Sequence, residues 1–450
     1  MVYREGLLGK GDLNKVKYTS SLIDDAEIYK ETILALITHV NELSRVGAIN
    51  SNEAAAIINA LRELSKEPYR PSDEYEDVHE YIEAMLIRRL GNVGGWVGLG
   101  RSRNDHVAAA LRLKLRRLML ELASSVIELR RVTLSKAIET ADAFIIGTTH
   151  RQPAQVTTLG HYMLYLDELS GDFIMNLLSI YETVNRSPLG SGPLAGTMVN
   201  LNRVREAEDL AFNGIVDNTV YATGSRYFML TAASITVSYL IELGRFINNI
   251  EMWLMPQLNY VTLNPSHLAT SSIMPHKRNP ATLEVLRARI GEAVGHLMSM
   301  YSIERPVEAG YQLDLQEETR HAWLIMRIAI DGVGIMADLI RGISVNKERV
   351  KEDLVKYPVT AAEYAELMSI SGKVPFRDAH REVAVMVKEG RSPGIDPAEA
   401  IKGKEVLGGP NPSRVTESAR ARLIDLSSIE AKVKELAVRI NKAEAELMGG

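Results

Sequence analysis

The chain has 450 residues, of which 46% are hydrophobic and 24% are charged, an ordinary balance for a globular protein. Its formal net charge of -5 argues against nucleic-acid binding, which requires a basic surface. The lack of cysteine excludes disulfides, thiolate metal sites and cysteine nucleophiles. No run approaches about 18 uninterrupted apolar residues, and the first residues have no apolar secretory core. We therefore expect a cytoplasmic protein without a membrane partner.

The N-terminal quarter has helical periodicity. Apolar residues recur at helical spacing from Ala26 to about Leu64, with an interruption near residues 47–51, and a further helix is predicted from Glu76 to about residue 90. Glu76 and His79 share the Glu-x-x-His spacing of di-iron bundles, but such sites need additional carboxylate ligands. We predict no metal and interpret His79 as a structural hydrogen-bond partner.

A glycine-rich stretch at residues 91–100 leads into residues 100–106, which read GRSRNDH. Nothing strand-like precedes the glycines, which argues against a nucleotide-binding loop. The two arginines can pair with carboxylates through two hydrogen bonds each. The same residues can also begin a helix, with Asn104 or Asp105 as the N-cap. Both interpretations can hold together.

Long helical segments follow, and polar loops join them. Five are predicted, at about residues 107–140, 156–184, 203–255, 281–301 and 314–343, the third with a break near residue 224. The first would be about 50 Å long, which suggests a bundle strut rather than an ordinary globular helix.

The order of these segments predicts an all-α fold with three domains and a central bundle of long helices. We assign residues 1–104 to an N-terminal helical domain and residues 105–346 to the five-helix bundle. Proline and glycine punctuate the chain after residue 346, where we expect the helices to shorten. Residues 347–450 are therefore assigned to a small C-terminal helical domain.

The loops between the long helices carry polar side chains. Thr149 and His150 lie at a helix break, where His150 suits proton transfer, although a structural histidine is the alternative. Arg226 follows the break in the third segment and is a candidate carboxylate contact. Tyr311 and Gln316 flank a helix start and could face a ligand.

One further loop, residues 269–280, reads ATSSIMPHKRNP. Its two prolines make a continuous helix improbable, because each removes an N–H and restricts the preceding residue. Ser271 and Ser272 supply hydroxyls, Lys277 a positive charge and Asn279 an amide. Such groups can abstract a proton and hold a carboxylate. A plain surface connector is the alternative.

This loop resembles the signature Gly-Ser-Ser-x-x-Pro-x-Lys-x-Asn of the fumarase/aspartase superfamily, with Thr270 in place of the glycine. Within that superfamily, several separated elements resemble the argininosuccinate lyase family and occur in the same order. They lie at residues 100–106, 149–152, 187–192, 311–317 and 374–380. Several elements in one order are more specific than any single motif.

The sequence also departs from the pattern of that family. Gly98 stands where a histidine is usual, His106 replaces a glutamine, and Tyr227 replaces an aspartate. A lysine is usual at the position of Thr319. The contacts to the carboxylates of the substrate are therefore open to rearrangement.

The resemblance implies reversible β-elimination of argininosuccinate to arginine and fumarate, in arginine biosynthesis and without a cofactor. It implies that Ser271 is the base, with Ser272 as the fallback, and that Lys277 supports the charge on the carbanion. His150 is our hypothesis for the acid, and Glu284 resembles the carboxylate that orients it. The implied substrate-binding residues are Ser21 (or Ser20 in a shifted register), Ser102, Arg103, Asn104, Thr149, Ser272, Asn279, Tyr311, Gln316 and Arg226.

The resemblance further implies a homotetramer in which each site collects residues from three subunits. Adenylosuccinate lyase is the nearest alternative, because the wording PHKRNP at residues 275–280 is common there. A catalytically silent structural relative, like the lens crystallins of this family, is the other. The retained serine loop and His150 argue against a silent protein.

Overall fold

The computed structural model describes residue 7 and residues 12–70, 72, 74–391 and 394–449. The helices are α1 (Leu13–Thr19), α2 (Tyr29–Arg45), α3 (Ser51–Leu64), α4 (Val78–Leu90), α5 (Arg103–Glu139), α6 (Leu159–Val184), α7 (Arg203–Asp209), α8 (Thr219–Gly224), α9 (Tyr227–Leu254), α10 (Ala281–Glu304), α11 (Asp314–Gly342), α12 (Lys347–Lys356), α13 (Ala361–Gly372), α14 (Phe376–Lys388), α15 (Pro397–Lys402) and α16 (Pro412–Met448). Short 3₁₀ turns occupy Asp24–Ile28, Gly91–Gly98 and Pro265–His267. The predicted all-α class is confirmed.

Strands in the described part of the chain form short antiparallel pairs. They are β1 (Phe144–Thr149) with β2 (Gln152–Thr158), β3 (Val261–Thr262) with β6 (Ser344–Val345), and β4 (Ala269–Thr270) with β5 (Arg278–Asn279). The first pair forms a hairpin where the sequence predicted only a break between helices. As a result, α6 begins at residue 159 rather than at about residue 156.

Helices α5, α6, α9, α10 and α11 pack as a bundle of long helices, as predicted. The Phe173 ring of α6 stacks on Tyr239 of α9 with centroids 4.2 Å apart. The hydroxyls of Ser234 on α9 and Tyr301 on α10 lie 2.6 Å apart. The third predicted segment is interrupted more extensively than expected, because α7 and α8 precede α9.

Helix α5 begins at residue 103 because of a capping box. The Ser102 hydroxyl accepts the N–H of Asn104 at 3.2 Å, and the Asp105 carboxylate accepts the N–H of Ser102 at 3.0 Å. The prediction that Asn104 or Asp105 is the N-cap is therefore wrong. With 37 residues, α5 is about 55 Å long.

The C-terminal region contains a helix that the sequence analysis missed. Helix α16 has 37 residues and packs along α5, with further contacts to α2 and α6. The expectation that helices shorten after residue 346 is therefore wrong for this last element. The division at residues 104 and 346 stays a prediction.

Within the described residues, α9 alone is long and apolar enough to cross a membrane. Of its most apolar window, 56% is buried inside the fold. Such a composition is also typical of a helix that packs in the core of a bundle.

A buried ionic cluster joins three helices. Asp167 of α6 is fully buried and accepts hydrogen bonds from Arg130 of α5 at 2.8 Å and from Arg422 of α16 at 3.1 Å. A charge removed from water in this way is stabilising only while its partners remain in place.

We expect Asp167→Ala to lower the free energy of unfolding by about 3–5 kcal/mol, because it leaves the Arg130 guanidinium buried without its carboxylate. Urea unfolding followed by far-ultraviolet circular dichroism, at one protein concentration, measures the change. Glu389→Ala is the matched control, since Glu389 and Arg391 form a 2.6 Å pair that is more than half exposed. The control should cost about 1 kcal/mol or less. Equal effects of the two substitutions would contradict the prediction.

Candidate active site

The direction of the long helices sorts the polar loops into two groups at opposite ends of the bundle. Helices α5, α9 and α11 begin at one end, where α10 ends. At the other end lie the β1–β2 hairpin, the start of α10 and the β3–β6 pair that follows α9 and α11. We call the end that carries Arg103, Arg226 and Tyr311 the pocket end. The end that carries His150 and residues 269–280 is the loop end.

A pocket at the pocket end brings together five of the predicted binding residues. They are Ser21, Arg103, Arg226, Tyr311 and Gln316. Thr319, one of the departures from the family pattern, also lines this pocket.

Three carboxylates that the sequence analysis did not assign to the site line it as well, namely Asp24, Asp25 and Asp77. The pocket therefore presents both signs of charge.

Ser21 is held against the start of α4. Its hydroxyl donates to Asp25 at 2.7 Å, and the same carboxylate oxygen accepts the N–H of Val78 at 3.1 Å. Burial, reinforced by the charge of Asp77, raises the pKa of Asp25 to about 7. The Ser20 hydroxyl instead donates to the Glu76 carbonyl at 2.7 Å. Ser21 is thus the serine of this pair that lines the pocket.

Arg103 is fixed by an ion pair within the pocket. Its Nη1 donates to Oδ2 of Asp77 at 2.6 Å, while Oδ1 of Asp77 accepts the N–H of Glu80 and caps α4. Its neighbours Ser102 and Asn104 serve other contacts, since Ser102 caps α5 and the Asn104 amide donates to the Pro193 carbonyl at 3.1 Å. These two residues therefore flank the pocket beside the loop at residues 185–201.

Arg226 lines the pocket and is otherwise buried. Its Nη1 donates to the carbonyls of Thr223 at 3.2 Å and Ser225 at 3.3 Å. Its Cζ lies 5.8 Å from the centre of the Tyr311 ring, within range of a cation–π contact. Nearby, the Gln316 amide donates to the Thr19 carbonyl at 3.1 Å.

The contact between Arg226 and Tyr311 depends on two glycines. A Cβ on Gly224 would lie 2.5 Å from the backbone of Gly310, and Gly310 itself has a φ of +97°. Glycine at both positions therefore allows the loop before α11 to cross the end of α8.

At the loop end, the exposed loop between β4 and β5 holds the predicted base. The Ser271 Oγ accepts the N–H of Met274 at 3.0 Å and the N–H of Ile273 at 3.3 Å. Ser272 and Lys277 are exposed, and Asn279 is half-buried in β5. Two backbone donors aimed at one hydroxyl oxygen favour negative charge on that oxygen.

His150 and Arg151 form the two-residue turn of the β1–β2 hairpin. Their φ angles are +51° and +61°, values that such turns usually satisfy with asparagine or glycine. Holding two other residues there costs about 1–3 kcal/mol each, a strain typical of functional sites. The turn leaves Thr149 and His150 exposed.

Glu284 lies exposed in the first turn of α10. Among the described residues of one chain, no hydrogen bond or ion pair joins Ser271, Lys277, His150 and Glu284 to one another or to the pocket. A single chain therefore gathers five of the predicted binding residues in one pocket but does not join them to the proposed catalytic groups.

The departures occupy different environments. His106 is fully buried, and burial lowers its pKa well below the usual value. Gly98 and Tyr227 are exposed. His79, which was predicted to be a structural hydrogen-bond partner, is fully buried. Within the described residues, neither of its ring nitrogens has a hydrogen-bond partner. That interpretation is therefore wrong.

Comparison with known proteins first defines the class. The profile of a family described as lyase matches residues 10–295. An EDDS lyase variant with bound fumarate has a TM-score of 0.83 at 24% identity, covering 97% of this chain and 93% of that one. A class II fumarase from Schistosoma mansoni has a TM-score of 0.71 at 17% identity, covering 88% and 90%. The chain is a lyase with the fold of the fumarase/aspartase superfamily.

Sequence relatives then define the family. The chain is 45% identical over 423 residues to the argininosuccinate lyase of Pyrobaculum calidifontis, covering 94% of this chain and 98% of the relative. It is 38% identical over 456 residues to that of Pyrococcus furiosus, covering 98% and 99%. The chain belongs to the argininosuccinate lyase family.

We expect His150→Asn to lower kcat for lyase turnover at neutral pH by about 10²–10⁴-fold, the usual contribution of a proton-transfer group. Asparagine tolerates the left-handed conformation, so the hairpin should keep its turn and the loss should report chemistry. Arg151→Asn is the control, because it makes the same change at the adjacent turn position. Steady-state kinetics of both variants decide, and an unchanged rate for His150→Asn would contradict its role as acid.

Proposed function

We propose that this protein catalyses the reversible β-elimination of argininosuccinate to arginine and fumarate, as a cytoplasmic step of arginine biosynthesis. The observation that carries the proposal is the pocket. In a chain that belongs to this family, it gathers five residues from four separate stretches of the sequence, namely Ser21, Arg103, Arg226, and the pair Tyr311 and Gln316. The chain is 45% and 38% identical, over nearly its full length, to two argininosuccinate lyases. This similarity supports argininosuccinate cleavage over adenylosuccinate cleavage or a silent structural role.

The charges of the pocket suit a zwitterionic substrate. Argininosuccinate carries carboxylates together with cationic amino and guanidinium groups. Arg103 and Arg226 can oppose a carboxylate, and Asp25 and Asp77 can oppose the amino group. The Tyr311 ring covers the Arg226 guanidinium on one side and limits how a ligand approaches it.

The serine loop supplies the features that proton abstraction needs. The Ser271 hydroxyl first loses its own proton to solvent, and the N–H groups of Ile273 and Met274 stabilise the resulting oxyanion. That oxyanion takes the proton from the carbon next to a succinyl carboxylate and becomes a hydroxyl again. Lys277 and Asn279 support the charge that develops on the carbanion. The electron pair then forms the carbon–carbon double bond of fumarate as the carbon–nitrogen bond breaks.

The departing guanidino nitrogen must receive a proton so that arginine leaves as a stable product. His150 provides that proton, directly or through water, from its exposed position on the hairpin turn. Glu284 orients the imidazole in the assembled site.

The complete site forms between copies of the chain, in a homotetramer. Helix α5 alone separates Arg103 from the hairpin by about 55 Å, so the two ends of one bundle are too far apart to share a substrate. The bundle helices also leave large apolar side chains exposed, which favours association with further copies. These include Met175, Ile241, Val285, Met298, Leu324 and Ile335.

Release of fumarate, followed by its absorbance, tests the reaction. The purified protein should release fumarate from argininosuccinate, with adenylosuccinate in a parallel sample as the test of the alternative lyase. Ser271→Ala should lower kcat by about 10²–10⁴-fold while binding is kept, because it removes the base. Ser272→Ala is the matched control. Near-normal turnover by Ser271→Ala, with loss in Ser272→Ala, would move the base to Ser272.

Mixing two inactive variants tests the shared site. Arg103→Ala disables the pocket end and Ser271→Ala disables the loop end, so hybrid tetramers should contain some sites with both groups intact. Activity at low substrate concentration should exceed that of either parent, treated identically. Native mass spectrometry confirms that hybrids form. Hybrids without recovered activity, or a stable active monomer in sedimentation, would contradict the shared site.

A further inference from the structure

Two glutamates lie behind the pocket, beyond the residues that line it. Glu318 of α11 is fully buried, and within the described residues neither oxygen of its carboxylate has a hydrogen-bond partner. Glu304 ends α10, and the nearby backbone N–H and charge of Arg226 favour its ionised form against the effect of burial. Its Oε2 is buried without a partner in the described part of the chain. Neither glutamate has a role in the mechanism above.

Both carboxylates interact electrostatically with one cation, the guanidinium of Arg226. The Nη1 of that guanidinium donates to two backbone carbonyls, and its Cζ lies near the Tyr311 ring. Its Nε is buried without a hydrogen-bond partner among the described residues. If both glutamates were ionised, the group would carry an uncompensated negative charge away from water. Such a charge is costly, so the group retains a proton.

The groups that face Glu318 determine which glutamate keeps that proton. Burial, and then the charge of Glu304, raise the pKa of Glu318 to about 8, whereas Arg226 acts in the opposite direction. Burial also raises the pKa of Glu304, but the backbone N–H and the charge of Arg226 oppose the change. At neutral pH, Glu318 is therefore the neutral acid and Glu304 the carboxylate.

We propose that Glu318 is a positioning residue, which in its neutral form adds no negative charge beside the Arg226 guanidinium where that group binds a carboxylate of the substrate. The inference rests on the proposed function, because it assigns Arg226 to substrate binding. With Glu318 neutral, Glu304 and Arg226 balance each other. Ionisation of Glu318 gives the group a net negative charge, which repels the carboxylate and weakens binding.

The sign of the pH dependence follows from this charge balance. As the pH rises through the pKa of Glu318, the KM for argininosuccinate should increase, whereas the titration of Asp25 in the same pocket affects wild type and variant alike. The ratio of kcat between wild type and Glu318→Gln should change much less with pH, because Glu318 does not contact the reacting atoms. Replacing a glutamate with a purely structural role would not change the pH dependence of KM while leaving that of kcat unchanged.

The test is the KM for argininosuccinate from about pH 6 to about pH 10, in wild type and in Glu318→Gln. Glutamine mimics the neutral acid, so the variant should keep the wild-type KM at neutral pH and lose the increase of about three- to tenfold above the Glu318 pKa. Titration of the substrate itself affects both proteins equally and cancels in their ratio. Glu366→Gln, at an exposed position of α13, is the control and should follow wild type.

A second variant keeps the test decisive if Glu318→Gln fails to fold. Glu304→Gln removes the neighbouring charge that helps to retain the proton, so the increase in KM should move to lower pH. An active wild type whose KM profile is unchanged by these substitutions would overturn the role of Glu318. So would a Glu318→Gln variant with a raised KM at neutral pH. A wild type that does not cleave argininosuccinate would instead overturn the proposed function.

Discussion

The rigidity and direction of the long helices constrain everything else in this molecule. Three of them begin at the pocket end, and α4 begins beside them at Asp77. The N-termini of helices carry partial positive charge and unpaired N–H groups, which suits the binding of carboxylates. This geometry acts unequally on the aspartates around Ser21. Asp77 caps α4 and pairs with Arg103, whereas burial and the charge of Asp77 raise the pKa of Asp25 to about 7.

The loop end uses the same backbone chemistry on a smaller scale. Ile273 and Met274 lie in the loop between β4 and β5, outside the helices, and the Ser271 hydroxyl accepts both of their N–H groups. The hairpin turn holds His150 and Arg151 in left-handed backbone conformations. The residues proposed to be reactive thus lie in the connections at one end of the bundle, outside its regular helices.

Much of the fold could be predicted because long amphipathic helices repeat their pattern many times. Helix α11 was expected at about residues 314–343 and occupies Asp314–Gly342. Short elements gave too few repeats, and the hairpin at Phe144–Thr158 was read as a simple break. Helix α16 was missed for another reason. Proline and glycine are frequent up to Pro412, and this pattern predicted short helices. After Pro412 neither residue type occurs before the end of the 37-residue α16.

The site could be predicted where residue type implied chemistry, but not where burial decided it. Glu317 and Glu318 are identical neighbours, yet Glu317 pairs with Arg320 near the surface and Glu318 is fully buried. One residue of helix rotates the side chain by about 100°, so packing separates the two. A signal was present, since Leu315, Glu318 and Ala322 follow the apolar spacing of α11. A carboxylate on the core face of an amphipathic helix requires either a partner or a proton, and this chain places it directly behind the arginine of its pocket.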